Sequence, residues 1–236
     1  MTNKKQKQLA FDLLIDFFSL KRAHVLDKEE LKILSSLKLS HRYSNSYLGK
    51  LYLKYYYSSM IVTAFNHFDR GDFLELGCGT GTQVIYANKI GFNSALGIDL
   101  FKDRIDIANK RARFYNVDYS AKFEVNDFWK FTADKKFNAV YSMFAFELFG
   151  GSVTKTCDHL IGICSKKTTI ILDMGNVSRL HKKRYFNKLV DCLRKEGFEV
   201  RIEILTPFLV GTWVAKTLGN FKLWPYFRAV RLIIKK

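Results

Sequence analysis

Phe73-Leu-Glu-Leu-Gly-Cys-Gly-Thr-Gly-Thr-Gln83 is the stretch that decides the fold. A short apolar run (Phe73, Leu74, Leu76) holds one acid, Glu75, and then breaks into glycines at 77, 79 and 81. Val84, Ile85 and Ala87 follow on one side of a helical pattern. This order reads as strand, glycine turn, helix, the opening of a nucleotide-binding α/β unit. Glycine lets the chain turn with positive φ, and its missing side chain lets backbone approach a ligand closely. The helix behind the turn offers unpaired N–H groups and the positive end of its dipole.

The expected companions follow in order. Residues 94–98 read as a second short strand with Asp99 at its end, 20 residues beyond Gly79. At that interval an acid can reach ribose hydroxyls in a dinucleotide-type fold. A helix over 102–115 has Ile105, Ala108 and Ala112 on its inner face, and a third strand over 121–125 ends in Asn126-Asp127-Phe128. A fourth strand, 137–143, leads into Phe144-Ala-Phe-Glu147. A Rossmann-type dehydrogenase turn would need a third glycine at 82 or 84, where Thr82 and Val84 stand. In such an enzyme the helix N-terminus carries a pyrophosphate, which a carboxylate at position 75 would repel.

On Glu75-Leu-Gly-Cys-Gly-Thr-Gly81, Gly97-Ile-Asp99-Leu100 and Asn126-Asp127-Phe128, the chain resembles the class I S-adenosylmethionine-dependent methyltransferases over about residues 70–205. The resemblance implies a Rossmann-like, seven-stranded, mostly parallel sheet with helices on both faces and an antiparallel last strand. It implies S-adenosyl-L-methionine as cofactor, a donor that has no phosphate and brings an ammonium group, so that Glu75 is welcome. The turn of Gly77, Cys78, Gly79 and Gly81 would wrap the donor's methionine part, and Glu75 would organise its amino group. Asp99 would accept from the ribose hydroxyls, with Leu100 packed on the adenine. Asp127 would accept from the adenine amino group, and the Phe128 N–H would reach a ring nitrogen. The residues after the fourth strand, from Ser142 to Glu147, face the site in that family, and Ser142 is counted with the cofactor contacts. Enzymes methylating exocyclic amines often carry Asn-Pro-Pro-Tyr there; Met143-Phe-Ala-Phe146 stands in its place.

The chain has 236 residues, room for one α/β domain and an extension. Residues 1–69 read as an all-helical N-terminal extension or cap, and 70–236 as the methyltransferase domain. Residues 7–20 predict one amphipathic helix with Leu9, Leu13, Leu14, Phe17 and Phe18 inside and Asp12 and Asp16 outside. Asp27 with Glu30 predicts a capping box. A third helix spans about 46–65, with Leu48, Leu51, Tyr52, Tyr55, Ser59 and Val62 at helical spacing. Beyond the fourth strand come a helix at 152–164, a strand at 168–173 and a basic helix at 178–196 closed by Gly197. A half-buried strand follows at 198–205, with Phe198, Val200, Ile202 and Ile204 inward. Thr206, Pro207 and Gly219 bracket an apolar helical insertion at about 207–218 with almost no polar side, and the last strand falls at 226–234.

The four cysteines show no Cys-x-x-Cys pair, so no metal site is expected, and a reducing, cytoplasmic setting is. No apolar stretch reaches the roughly 18 residues of a bilayer span. The net charge of +17, with Arg179, Lys182, Lys183, Arg184 and Lys188 clustered, suits RNA, an anionic membrane touched peripherally, an acidic substrate, or a compositional habit of a lysine-rich, phenylalanine-rich proteome. Glu147 is the first candidate for an acceptor contact or general base, with a structural ion pair as the equal alternative. His41 and Tyr43 could reach the pocket from the N-terminal cover. The expected function is transfer of a methyl group to a small, apolar or anionic, lipid-like acceptor. An RNA or protein methyltransferase using the basic surface and a non-catalytic donor-binding scaffold are the alternatives; no separate RNA-binding module favours RNA. The oligomeric state is left open.

Overall fold

The computed structural model describes residues 1–36, 47–146, 149–175, 180–205 and 229–235. The helical start comprises α1 (Asn3–Ile15), α2 (Phe17–Arg22), α3 (Lys28–Ser36), α4 (Tyr47–Tyr52), a π-helical turn π1 (Leu53–Tyr57) and α5 (Ser58–Phe65). Then follow β1 (Asp72–Leu76), α6 (Thr82–Lys89), β2 (Ser94–Asp99), α7 (Lys102–Phe114), β3 (Ala121–Val125) and β4 (Phe137–Met143). The remainder is α8 (Val153–Gly162), β5 (Cys164–Gly175), α9 (Leu180–Lys195), β6 (Glu199–Leu205) and β7 (Ala229–Lys235).

The strands lie in one seven-stranded sheet of order β3-β2-β1-β4-β5-β7-β6. β1 pairs parallel with β2, β2 with β3, and β4 with β5. β7 runs antiparallel to both β5 and β6. This is the mixed, mostly parallel Rossmann-like sheet expected from the sequence, antiparallel last strand included. The chain forms two compact units, Met1–Lys130 and Phe131–Lys236.

In the first unit the helical start shares its core with β1, α6 and α7. Phe65 of α5 packs its ring 5.1 Å from Phe73 of β1 and edge-on to Tyr86 and Phe92 at 4.9 and 5.7 Å. Such edge-to-face pairs add to what burial of the rings already contributes. Leu20, Leu26 and Leu34 bury against Ile107 of α7. Lys110 of the same helix reaches back to Glu30 at 2.6 Å. The expected capping box forms: the Glu30 N–H donates to the Asp27 carboxylate at 2.8 Å, and the Asp27 N–H donates to the Glu30 carboxylate at 3.1 Å.

Three details depart from the periodicity reading. The helix expected over 7–20 starts at Asn3 and divides at Asp16. Asp16, expected on the polar face, is buried because it pairs with Arg111 of α7, and Phe18 is turned outward instead. The helix expected over 46–65 is interrupted by π1. A π turn adds a residue to the helical phase, so Tyr55 swings outward while Leu53, Tyr56 and Met60 face inward. Of the inward set expected over 198–205, Phe198 and Val200 are buried, while Ile202 and Ile204 on the edge strand β6 are exposed.

The second unit is held by a fully buried ion pair. Asp173 of β5 receives Arg231 of β7 through Nε at 2.7 Å and Nη2 at 2.8 Å, and the Tyr141 hydroxyl of β4 donates to the same carboxylate at 2.7 Å. Both charged side chains are 0% exposed. Asp173 raises the Arg231 pKa further above its ordinary value, against the effect of burial. Arg231→Met alone leaves a buried carboxylate and should destabilise by about 3–5 kcal/mol, while joint replacement of Asp173 and Arg231 by apolar residues should recover most of that loss. Urea denaturation of the three variants reads the difference.

Two glycines set how closely α6 lies on the strands. A Cβ on Gly97 of β2 would sit 2.8 Å from the Cys78 sulfur and from Val84, and one on Gly81 would sit 2.5 Å from the Phe123 ring. Gly81 also holds φ at +79°. Gly81→Ala should therefore lose about 2–4 kcal/mol of stability, from clash and left-handed backbone together. Gly91→Ala, where a Cβ meets nothing within 4 Å, should show the conformational part alone, about 1–2 kcal/mol.

Candidate active site

The site forms in the first unit where β1 and β2 end. Gly77, Gly79 and Gly81 all adopt left-handed backbone, at φ +72°, +55° and +79°. Four N–H groups of the turn have defined acceptors. The N–H groups of Gly77 and Cys78 both donate to the Ile98 carbonyl at 2.9 Å, extending the β1–β2 pairing into the loop. The Gly79 N–H donates to Asp99 Oδ2 at 2.8 Å, and the Gly81 N–H closes a turn onto the Cys78 carbonyl at 2.9 Å. A Cβ on Gly79 would meet nothing within 4 Å, so the loop borders open space at that residue.

Glu75 lies behind this turn with 1% of its surface exposed. Its Oε2 is buried with no hydrogen-bond partner among the described residues. Burial, then the nearby Asp99 charge, raises the Glu75 pKa well above the usual carboxylate range; the Val84 N–H and Arg111 oppose the rise. An orphaned buried carboxylate oxygen is costly unless something bound supplies a donor. Cys78 is buried beside it, and burial with the Glu75 and Asp99 charges pushes its thiol well above its ordinary value, which makes it an inert wall.

Asp99 is 6% exposed, and besides Gly79 it receives the Phe101 N–H on Oδ1 at 3.0 Å. Its carbonyl accepts the Asn126 N–H at 2.9 Å, which ties the end of β2 to the residues after β3. Leu100 next to it is 61% exposed, an apolar surface at the lip of the site. Asp127 is half-buried and turns Oδ1 back to the Trp129 N–H at 2.9 Å, and the Phe128 ring is buried. Glu75, Cys78, the three glycines, Asp99, Leu100, Asp127 and Phe128 thus all belong to the first unit. Ser142 is buried on β4 in the second unit. Glu147, His41, Tyr43 and the apolar segment at 207–218 lie outside the described residues. Among the described residues, no three His, Cys, Asp or Glu side chains gather as a metal site. No described helix is long and apolar enough to cross a membrane.

One residue at the site was missed by the sequence reading. Arg111 of α7 is 1% exposed. Its Nη1 donates to the Thr80 carbonyl at 2.6 Å and to the Thr80 and Thr82 hydroxyls at 3.0 Å each. Nε reaches Asp16 at 2.9 Å, and Nη2 reaches the Leu13 carbonyl at 2.7 Å. The available signal was its position: Arg111 stands three residues beyond Ala108 and directly before Ala112, two residues of the inner face. A charge on that side of a helix calls for a buried partner.

Comparison with known proteins agrees with this geometry. Residues 73–164 match the family model described as "Methyltransferase domain". An uncharacterized protein of Methanocaldococcus jannaschii is 34% identical over 61 residues, 26% of this chain; the match spans 28% of that protein's length. Among solved structures, the geranyl diphosphate C-methyltransferase of Streptomyces coelicolor A3(2), crystallised with Mg2+, geranyl diphosphate and S-adenosyl-L-homocysteine, superposes with a TM-score of 0.59 at 15% identity, over 76% of this chain and 80% of its own. A cyclopropane synthase of Mycobacterium tuberculosis superposes with a TM-score of 0.56 at 15% identity, over 75% and 83%. At these identities the likeness is one of fold. The match of residues 73–164 to a methyltransferase domain and the shared fold agree with the resemblance to the class I S-adenosylmethionine-dependent methyltransferases carried by the acid-glycine turn and the strand-end aspartates.

Proposed function

We propose that this chain transfers a methyl group from S-adenosyl-L-methionine to a small acceptor, apolar or anionic and lipid-like in character. The observation that carries the donor assignment is Glu75: a buried carboxylate with an orphaned oxygen, behind a turn that leaves open space at Gly79. A ligand bringing an ammonium fits that charge, and a pyrophosphate does not. The methyl donor supplies an activated methyl on a positively charged sulfur, whose departure leaves a neutral thioether. Glu75 would hold the amino end, Asp99 the ribose, and Leu100 with Asp127 and Phe128 the adenine. The protein's remaining work is to align the acceptor and exclude water. A base is required only when the acceptor has a proton to lose; Glu147, His41 and Tyr43 are the proposed acceptor contacts for that role.

Two things support the acceptor class. Residues 207–218 are mostly apolar, with Thr212, Lys216 and Thr217 the polar side chains. One structural neighbour was crystallised with geranyl diphosphate, an apolar chain on an anionic head. The surplus of cations, including exposed Arg184 and Lys188 on α9, suits an anionic headgroup or peripheral contact with an anionic membrane. Incubating cell extracts with labelled donor and the protein, followed by mass spectrometry, should show label in small lipid-extractable products. Label in RNA or protein would instead select the alternative acceptor class.

Glu75→Gln should bind the donor at least about tenfold more weakly by calorimetry, since a charge-assisted hydrogen bond to the ammonium is lost. The same variant should alter the pH dependence of the ligand-free fold. Because Glu75 has a raised folded pKa, its contribution to stability is fullest below its unfolded value near 4.5 and is lost as pH rises toward the folded value. That downward slope should be absent in Glu75→Gln.

Donor affinity should follow the opposite trend. A bound ammonium favours the Glu75 carboxylate, so binding releases a proton and the affinity should fall as pH drops through the raised Glu75 pKa. Calorimetry in two buffers of different ionisation enthalpy measures the proton released. Affinity independent of pH from acidic to neutral conditions would refute the role given to Glu75.

A further inference from the structure

We infer that Arg111 is a positioning residue for donor binding: its buried guanidinium clamps the Thr80–Thr82 side of the glycine turn to the N-terminal helices through Asp16 and the Leu13 carbonyl. The inference rests on the donor reading above and extends it to residues before the family-matched segment, which begins at residue 73.

The geometry is specific. The other side of the turn is pinned by the sheet, through the Ile98 carbonyl and the Asp99 carboxylate. The Thr80 carbonyl points away from the sheet bonds and accepts from Arg111 at 2.6 Å. Asp16 and the Leu13 carbonyl hold the same guanidinium from the α1–α2 junction. Arg111 therefore joins three pieces of chain far apart in sequence. A planar five-donor fork can do this, whereas the ammonium of a lysine has three donors at one point. The break between α1 and α2 at Asp16 follows from the same contact, since the carboxylate must turn inward to meet it.

The clamp also bears on charge at the site. Asp99 and Arg111 act on Glu75 in opposite senses, and the Val84 N–H sides with Arg111. On the far side Arg111 faces Asp16, which also accepts from the Tyr115 hydroxyl, and Asp12 lies near that hydroxyl. Removing the guanidinium removes the positive charge that favours the Glu75 carboxylate, so donor binding should require higher pH.

The test uses the full chain. Asp16→Asn/Arg111→Met removes both buried charges together, so neither is stranded. Thr80→Val/Thr82→Val keeps Arg111 and its ion pair and deletes only the hydroxyl acceptors on the turn. For the charge-pair variant, calorimetric affinity for S-adenosyl-L-homocysteine should drop about tenfold or more, and the pH midpoint of binding should move upward. The threonine variant should weaken binding while leaving that midpoint in place. In both, amide exchange at Thr80–Thr82 in the ligand-free protein should quicken. Wild-type affinity, midpoint and exchange in a folded charge-pair variant would overturn the inference. If that variant does not fold, unchanged affinity and exchange in the threonine variant would overturn it. A wild-type protein that binds no donor product would instead refute the proposed function, and the exchange measurement would still decide whether Arg111 orders the turn.

Discussion

The first unit is organised around a carboxylate taken out of water without a full set of partners. Glu75 is the penultimate residue of β1, and its Oε2 has no hydrogen-bond partner among the described residues. Moving an acid into such a place opposes folding, and it persists only where neighbours fix it. Here the neighbours are the glycine turn in front, the Asp99 loop beside it and Arg111 behind. The first two are pinned by the sheet and the third by the N-terminal helices. On the function proposed above, the partner that completes this site is the ammonium of the methyl donor.

Guanidinium–carboxylate pairing recurs in the second unit to a different end. Asp173 there is satisfied on both oxygens by Arg231 and Tyr141. Its carbonyl also accepts the N–H of Phe144, which holds a left-handed φ of +58° just past β4. Both carboxylate oxygens of this acid are thus engaged within the protein. The contrast between a saturated buried acid and an unsaturated one separates a structural lock from a binding site within one chain.

Much of this was legible from residue order. The apolar run, the spaced glycines and the acids at the ends of successive strands placed β1 to β4 within a residue or two, because short strands and their glycine turn are locally encoded. The antiparallel final strand came from the resemblance. What escaped was set by distant contacts. Arg111 drew no reading at all, since its partners Asp16 and Leu13 are nearly a hundred positions away. Asp16 was assigned to the polar face for the same reason. The π turn at Leu53–Tyr57 was invisible because a phase change has no composition of its own. Ile202 and Ile204 alternate as buried residues do, yet burial depends on what covers a strand, and alternation does not report that.

The order of the strands carries a kinetic consequence. β6 stands at the sheet edge, and its hydrogen-bonding neighbour is β7, which comes later in the chain and lies between β5 and β6. When the polypeptide has only reached β6, that strand has no ladder to join. It must wait unpaired until β7 threads into the gap and zips to both flanking strands at once. Sheet completion is thereby deferred to a late, non-local event.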